Sequence, residues 1–201
     1  MGLTEEASNA RRFRACRQPI GSEPPFSQGS FLSSPFEGLA FYNRHLAFHF
    51  MYRFFQKQTL SASPEKVWDF ISLPGNLNEI TPKDMEFEII GEVPERIFAG
   101  QFIEYRVKVP LLGRTSWLTE IKYLDEGKSF VDEQRVGPYK LWVHRHSLEA
   151  VEGGTEMTDD ILYALPFGFF GKLANPLVVR GNLKRIFDFR REALSRTFPK
   201  S

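Results

Sequence analysis

Two stretches in the second half of the chain carry histidines and aspartates among large apolar residues. On the first stretch, Trp142, His144 and His146 alternate with other residues, and on the second Asp159 and Tyr163 share one side. Strand side chains point alternately to opposite faces, so each predicted strand places its ionisable groups on its most apolar face. A face that mixes aromatic rings with a few polar groups is typical of a ligand cavity.

The loops between the strands predict how these residues pair. A three-residue loop at 137–139 keeps even-numbered residues of both flanking strands on one face. A two-residue loop, either 152–153 or 153–154, joins the next hairpin and contains the glycine that such turns prefer. With the first of these turns, the predicted carboxylate–histidine pairs are Asp132 with His144 and His146 with Asp159.

We expect both pairs to lie on the concave face of a sheet, beside aromatic side chains. The same alternation places Ile103, Tyr105, Val107, Trp117, Thr119, Ile121 and Tyr123 of two earlier strands on that face. The predicted ligand-binding residues are Tyr105, Trp117, Asp132, Gln134, Trp142, His144, His146, Asp159 and Tyr163.

Three roles remain open for the polar groups on this face. They can satisfy one another as a buried network that defines the strand register, because burying unpaired polar groups is costly. They can orient the polar end of a ligand whose apolar body contacts the aromatic rings. His144 or His146 can also act as a general acid or base, although no nucleophile or oxyanion site is evident.

A metal site on the two histidines and a carboxylate is chemically conceivable, since both rings of a His-x-His strand point the same way. We expect none, because each histidine has a carboxylate partner, and we expect no cofactor. A neighbouring carboxylate favours the charged imidazole and burial opposes it, so the sequence does not define the protonation state.

The composition excludes several classes of protein. The formal net charge of +1 argues against a nucleic-acid-binding protein, which usually carries a strong basic patch. No apolar run approaches the roughly 18 residues of a transmembrane helix. The single cysteine, Cys16, excludes an intrachain disulfide and a cysteine-based zinc site. We therefore expect a cytoplasmic protein of one domain plus an appendage.

Residues 1–50 differ in character from the rest of the chain. Arginines cluster near the start, and prolines and glycines follow at short intervals, which disfavours regular structure. A short amphipathic helix is predicted over 39–50, where His45 and His49 lie four residues apart without a third metal ligand. We expect 1–50 to be a poorly ordered extension and 51–201 to form the domain without it.

Residues 51–201 predict strands in succession, then a long helix. The strand segments are 56–62, 85–91, 101–109, 115–124, 128–136, 140–151 and 155–165. Ser63-Pro64 is a helix start, and a second short helix is predicted over 77–80. Asn175-Pro176 begins a helix that extends to about Phe198. Short loops imply an antiparallel sheet, and the apolar side of the long helix must cover one face of it.

This order of elements, together with one set of residues, resembles the START/polyketide-cyclase-like (SRPBCC) superfamily, and more narrowly its bacterial ligand-binding branch. The residues are Phe130, Asp132, Gln134, Gly137, Pro138, Tyr139, Trp142, His144, His146, Gly154, Thr155, Met157, Asp159, Tyr163, Pro166 and Gly168. The resemblance covers 51–201. It implies an α+β helix-grip fold, in which a curved seven-stranded antiparallel sheet surrounds a long C-terminal helix and two short helices separate strands 1 and 2.

The superfamily includes lipid carriers, hormone binders and aromatase/cyclases, so the resemblance leaves several functions open. We expect a non-enzymatic protein whose partner is a small, mostly apolar molecule, aromatic or lipid-like. One alternative is a polyketide cyclase or dehydratase with His144 or His146 as acid/base. Another is an interaction or membrane-adapter protein that makes transient membrane contact through an apolar lip at 167–170. The sequence does not indicate the oligomeric state.

The final helix is rich in basic residues, which usually form a solvated face. These residues are Arg180, Lys184, Arg185, Arg190 and Arg191.

Overall fold

The structure is a computed structural model that describes residues 51–110, 112–166 and 178–199. The strands are β1 (Met51–Leu60), β2 (Glu88–Ile90), β3 (Phe102–Val109), β4 (Gly113–Asp125), β5 (Ser129–Val136), β6 (Leu141–Val151) and β7 (Gly154–Ala164). The helices are α1 (Pro64–Ile71), two 3₁₀ helices (Pro74–Asn78 and Lys83–Met85) and α2 (Arg180–Thr197).

The strands form one seven-stranded antiparallel sheet in the order β1-β7-β6-β5-β4-β3-β2. The sheet is curved and carries a C-terminal helix, so the α+β helix-grip prediction is confirmed. Alternating burial along the strands defines the inner face. On β6, for example, Trp142, His144 and His146 are buried, while the residues between them are partly exposed.

Both predicted hairpin registers are confirmed. Asp132 lies opposite His144 across β5 and β6, and His146 lies opposite Asp159 across β6 and β7. Residues 152–153 form the second turn, because Val151 pairs with Gly154. Gly153 has a φ of 83°, a conformation in which glycine avoids the steric penalty of a side chain.

The alternation predicted for β4 is wrong at one position. Tyr123 was expected on the inner face, but its side chain is 75% exposed. The β4–β5 register shifts between Lys122 and Asp125, and Tyr123 has a positive φ of 47°. A bulge of this kind bends the strand and turns the side chain to the other face, which alternation alone does not anticipate.

Other element boundaries also differ from those predicted. The first strand starts at Met51 rather than at Gln56, and β2 is only three residues long. Ser63 occupies the N-cap position of α1, with Pro64 following it, but the Ser63 hydroxyl makes no capping hydrogen bond. The predicted start of the long helix at Asn175 lies outside the described residues.

Helix α2 is attached to β1 by hydrogen bonds from glutamine side chains as well as by apolar packing. Gln56 donates from Nε2 to the carbonyl of Phe187 at 3.1 Å and accepts from Nη2 of Arg191 at 2.7 Å. Gln58 donates to the carbonyl of Arg191 at 2.8 Å. The buried residues of α2 recur at helical spacing and are Leu183, Phe187, Arg190, Ala193 and Leu194. Among the described residues, neither helix has the length and apolarity needed to span a membrane.

Candidate functional site

A cavity of about 200 Å³ lies among the inner face of the sheet, α2 and the segment that follows α1. Its lining is predominantly aliphatic and aromatic. The lining residues include Tyr105, Val107, Trp117, Asp132, Trp142, His144, His146, Phe187 and Arg190. The volume exceeds the roughly 150 Å³ of an engineered apolar cavity that binds benzene, so it can hold a ring with a short substituent.

Two histidines and two aspartates form a closed cluster at the centre of the sheet. His144 donates from Nε2 to Oδ1 of Asp159 at 2.9 Å, and His146 donates from Nε2 to Oδ2 of Asp132 at 2.8 Å. The other ring nitrogens are also close: Nδ1 of His144 is 3.2 Å from Asp132, and Nδ1 of His146 is 3.1 Å from Asp159. Each histidine therefore contacts both carboxylates.

The structure contains two contacts in addition to the two predicted carboxylate–histidine pairs. The register pairs are present, but the shorter contacts run diagonally, from His144 to Asp159 and from His146 to Asp132. The two rings lie on the same face of β6, with centroids 3.8 Å apart, between carboxylates supplied by β5 and β7. Diagonal neighbours on a sheet are within reach of long side chains, so both partners are accessible to each ring.

Asp132, His144 and Asp159 favour their charged forms. Burial disfavours an ionised carboxyl, but the two histidines outweigh it and hold the pKa of Asp132 well below its usual range. Burial likewise opposes charge at Asp159, and Arg190 together with the histidines lowers the pKa of Asp159. Burial lowers the pKa of His144, but the two aspartates outweigh this effect and raise it above the ordinary value. An imidazolium at His144 can donate from both ring nitrogens.

Aromatic rings surround the cluster and the cavity. Phe130 stacks on His146 with centroids 4.3 Å apart, and Phe187 of α2 contacts the ring of His144 edge-on at 5.5 Å. Trp117 and Trp142 meet edge-to-face at 5.2 Å. Such contacts limit the rotation of the rings, and the cavity therefore has a defined aromatic surface on one side.

Six of the nine predicted site residues line the cavity, and three do not. Gln134 donates to the carbonyl of Tyr139 at 2.7 Å and accepts from its backbone amide, which closes the β5–β6 connection. Asp159 contacts both histidines and is not part of the lining. Tyr163 packs in a separate apolar cluster beside Trp142. The six lining residues are Tyr105, Trp117, Asp132, Trp142, His144 and His146.

Arg190 corrects the prediction of a solvated basic face on the final helix. Its residue surface is only 8% exposed, and it lines the cavity. Its guanidinium lies 5.6 Å from the ring centroid of Phe187 and 3.9 Å from Asp159. Arg190 is seven residues after Leu183 and three after Phe187, so helical spacing already places it on the apolar side of α2.

The end of α1 and the segment after it supply a second group of lining residues that strand alternation did not identify. They are Phe70, Leu77, Ile80, Thr81, Met85 and Phe87. Local sequence does not show which side of a short irregular segment faces the sheet, so these contacts depend on tertiary packing.

Asp132, His144 and His146 each place a potential metal-ligating atom within 4.8 Å of the others, the one such group among the described residues. In this arrangement the nitrogens face carboxylate oxygens, and a cation would have to replace these contacts. Chemically, the histidines can exchange protons with a bound molecule. The cavity lining contains no serine, cysteine or lysine within the part of the chain that the structure describes. The predicted apolar lip at 167–170 lies outside that part.

Comparisons with known proteins support the fold. No protein-family model matches this chain, and no curated protein matches its sequence. Several solved structures share its architecture. Protein CV1439 from Chromobacterium violaceum is 12% identical, with a TM-score of 0.57 over 75% of this chain and 99% of that one.

Two further structures are similar to the same extent. Protein Ms6760 from Mycobacterium smegmatis is 15% identical, with a TM-score of 0.52 over 72% of this chain and 92% of that one. Protein TTHA0849 from Thermus thermophilus is 17% identical, with a TM-score of 0.52 over 73% and 99% of the two chains. At these identities the likeness shows the fold alone, and both membership of the superfamily and the narrower branch stay predictions.

Proposed function

We propose that this protein binds a small, mostly apolar molecule in the cavity between the sheet and α2. The observation that carries the proposal is the cavity itself, which has about 200 Å³ of space, an apolar and aromatic lining, and ionisable groups at one side. Empty space of this size costs stability, because the surrounding side chains lose contacts that a filled core would make. A bound molecule would restore those contacts.

The size and lining favour an aromatic or compact aliphatic ligand over a long lipid. Trp117, Trp142 and Phe130 contribute flat surfaces, and aromatic pairs favour offset or edge-on packing against a ring. The polar cluster offers orientation, because Asp132, His144 and His146 all line the cavity. A few polar groups on an apolar surface are the usual means by which a binding site defines the pose of its ligand.

A cavity-filling substitution tests this proposal. Val107 is buried on β3 and lines the cavity, so Val107→Phe would place a ring in the ligand's space. We expect ethylbenzene to shift the methyl NMR signals of Ile103 and Ile121 in the wild-type protein. We expect Val107→Phe to weaken ethylbenzene binding by at least about tenfold, the loss of roughly 1.4 kcal/mol.

Val136→Phe is the matched control, because it makes the same change at a side chain that is 57% exposed. It should leave the affinity for ethylbenzene unchanged. Thermal unfolding of both variants separates blockage from misfolding, since a ring that enters existing space causes little overpacking strain. Wild-type protein whose isoleucine signals do not respond to ethylbenzene would contradict the proposal.

A further inference from the structure

One cation at the cavity has hydrogen-bond donors that the protein does not use. Arg190 is buried, lines the cavity and projects from α2, and its Nε atom has no hydrogen-bond partner. The closest ion-pair contact of its guanidinium with the described residues is 3.9 Å, from Nη1 to Oδ1 of Asp159. That separation exceeds hydrogen-bond range.

An unsatisfied buried guanidinium is costly, because the charge loses hydration without gaining an acceptor. Asp159 does not supply the missing acceptor. Its Oδ1 atom already accepts from His144 at 2.9 Å and lies 3.1 Å from Nδ1 of His146. Asp159 is also absent from the cavity lining, whereas Arg190 is part of it.

Arg190 is a charged group of the cavity lining whose buried Nε is available to a ligand. The charged or titratable groups near it are Asp159 on β7, 3.9 Å away, and Asp132, His144 and His146, which line the same cavity. Both carboxylates are in contact with both histidines, so the carboxylate oxygens of the sheet already have partners. Among the residues that the structure describes, Arg190 has one ion-pair contact, the 3.9 Å approach of Nη1 to Asp159, and its buried Nε has no hydrogen-bond partner.

The backbone of α2 beside Arg190 is held in place. Gln56 bonds to the carbonyl of Phe187, and Gln58 bonds to the carbonyl of Arg191, the neighbour of Arg190. The guanidinium also lies over the ring of Phe187. A positioned, planar fork of N–H donors matches the geometry of a carboxylate, which it can bind through two parallel hydrogen bonds.

We propose that the ligand carries a carboxylate and that Arg190 binds it, while the ligand's apolar body occupies the aromatic part of the cavity. This inference rests on the proposed function and adds the chemical class of the ligand. With about 200 Å³ available, the expected ligand is a small aromatic or branched aliphatic acid.

Three probes of one shape test the inference on the full chain at neutral pH. They are phenylacetate, phenylacetamide and phenethylammonium, and the methyl NMR signals of Ile103 and Ile121 report binding of each. We expect phenylacetate to bind at least about tenfold more tightly than phenylacetamide, because a charge-assisted hydrogen bond is stronger than a neutral one. The ammonium probe should bind most weakly.

Variants assign the preference to Arg190. Arg190→Gln should bind phenylacetate and phenylacetamide equally, while its affinity for phenylacetamide stays near that of the wild type. Arg196→Gln is the matched control, because it removes the same charge from an exposed position on the same helix and should keep the preference. Arg190→Lys keeps the charge without the fork and should reduce the preference severalfold.

The outcomes distinguish this inference from the proposed function. Equal wild-type affinity for phenylacetate and phenylacetamide, or tighter binding of the ammonium probe, would overturn the inference and leave ligand binding intact. Failure of ethylbenzene and all three probes to bind would overturn both. Preference for the acid that survives in both Arg190→Gln and Arg190→Lys would also contradict the role of Arg190. If Arg190→Gln does not fold, the wild-type comparison and Arg190→Lys still decide the question.

Discussion

At the scale of single residues, the inner face of the sheet combines charge and apolar surface in a small space. His144 and His146 are each less than 5% exposed, yet both contact two carboxylates. A buried network of this kind is stable only while its members stay partnered, because removing one partner leaves an uncompensated charge. The same contacts therefore support the fold and shape the polar side of the cavity.

The protonation of His144 should make stability depend on pH. Its pKa is raised in the folded protein, so its contribution is complete below the ordinary value of 6.5 and is lost as pH rises through the folded value. The lowered pKa values of Asp132 and Asp159 act at the acid end, where their contribution is lost as pH falls. We expect the free energy of unfolding to decline both as pH falls into the acid range and as pH rises above 6.5.

Urea unfolding of the wild type and of His144→Gln, at pH values below and above 6.5, measures the contribution of His144 to the free energy of unfolding. The substitution should destabilise the protein by roughly 3 kcal/mol where His144 is charged, because both carboxylates lose a partner. The difference between the two proteins should shrink as pH rises above 6.5. A difference that does not change as pH rises from 6.5 would contradict the raised pKa of His144.

At the scale of elements, the hairpin turn between β6 and β7 sets the relation of the two carboxylate–histidine pairs. Strand β7, which follows this turn, begins at Gly154, and Gly154 has a φ of 147°. A Cβ atom built there would lie 1.9 Å from the carbonyl oxygen of Leu60, at the end of β1. Only glycine allows this close approach, so one residue maintains the contact of the turn with the edge strand.

Gly154→Ala should therefore destabilise the protein by roughly 2 kcal/mol or more, because the obstructing atom belongs to the backbone and cannot rotate away. Gly181→Ala is the matched control. A Cβ at Gly181 meets nothing within 4 Å, and the residue is helical, so alanine should stabilise by roughly 0.5 kcal/mol. Chemical unfolding of both variants checks the pair, and equal effects would contradict the close approach at Gly154.

Element types and hairpin registers were predictable because alternation and loop length are local properties of the sequence. Asp132 could be placed opposite His144 from a three-residue loop, and His146 opposite Asp159 once 152–153 was taken as the second turn. Tyr123 could not be placed, since a bulge depends on how β4 adapts to β5. The diagonal contacts of the histidines were also missed, because they depend on side-chain rotamers rather than on register.

At the scale of the whole molecule, the site depends on how α2 meets the sheet. The prediction treated Arg190 as part of a solvated basic face, whereas it is buried at the cavity. The basic composition of α2 suggested that Arg190 is exposed to solvent, whereas helical spacing placed Arg190 on the apolar side of the helix. A long cationic side chain is buried only where the assembled fold provides groups that contact it. For Arg190 these groups are the ring of Phe187 and Asp159 of the polar cluster.

The cavity lies between a sheet and a helix that hydrogen bonds hold together. The sheet is continuous across seven strands, and Gln56 and Gln58 bond α2 to its edge strand. A cavity between such layers cannot collapse easily, which favours a preformed site over one that forms around its ligand. Selective capture of a small molecule is therefore the central expectation.

The most direct measurement is ligand capture from an extract of the native host. Full-length wild type and Val107→Phe would be equilibrated with the same small-molecule extract, repurified and denatured, and the released compounds compared by mass spectrometry. We expect the wild type to release at least one small, mostly apolar compound that Val107→Phe does not retain. Release of the same compounds in equal amounts from both proteins would contradict a ligand site in this cavity.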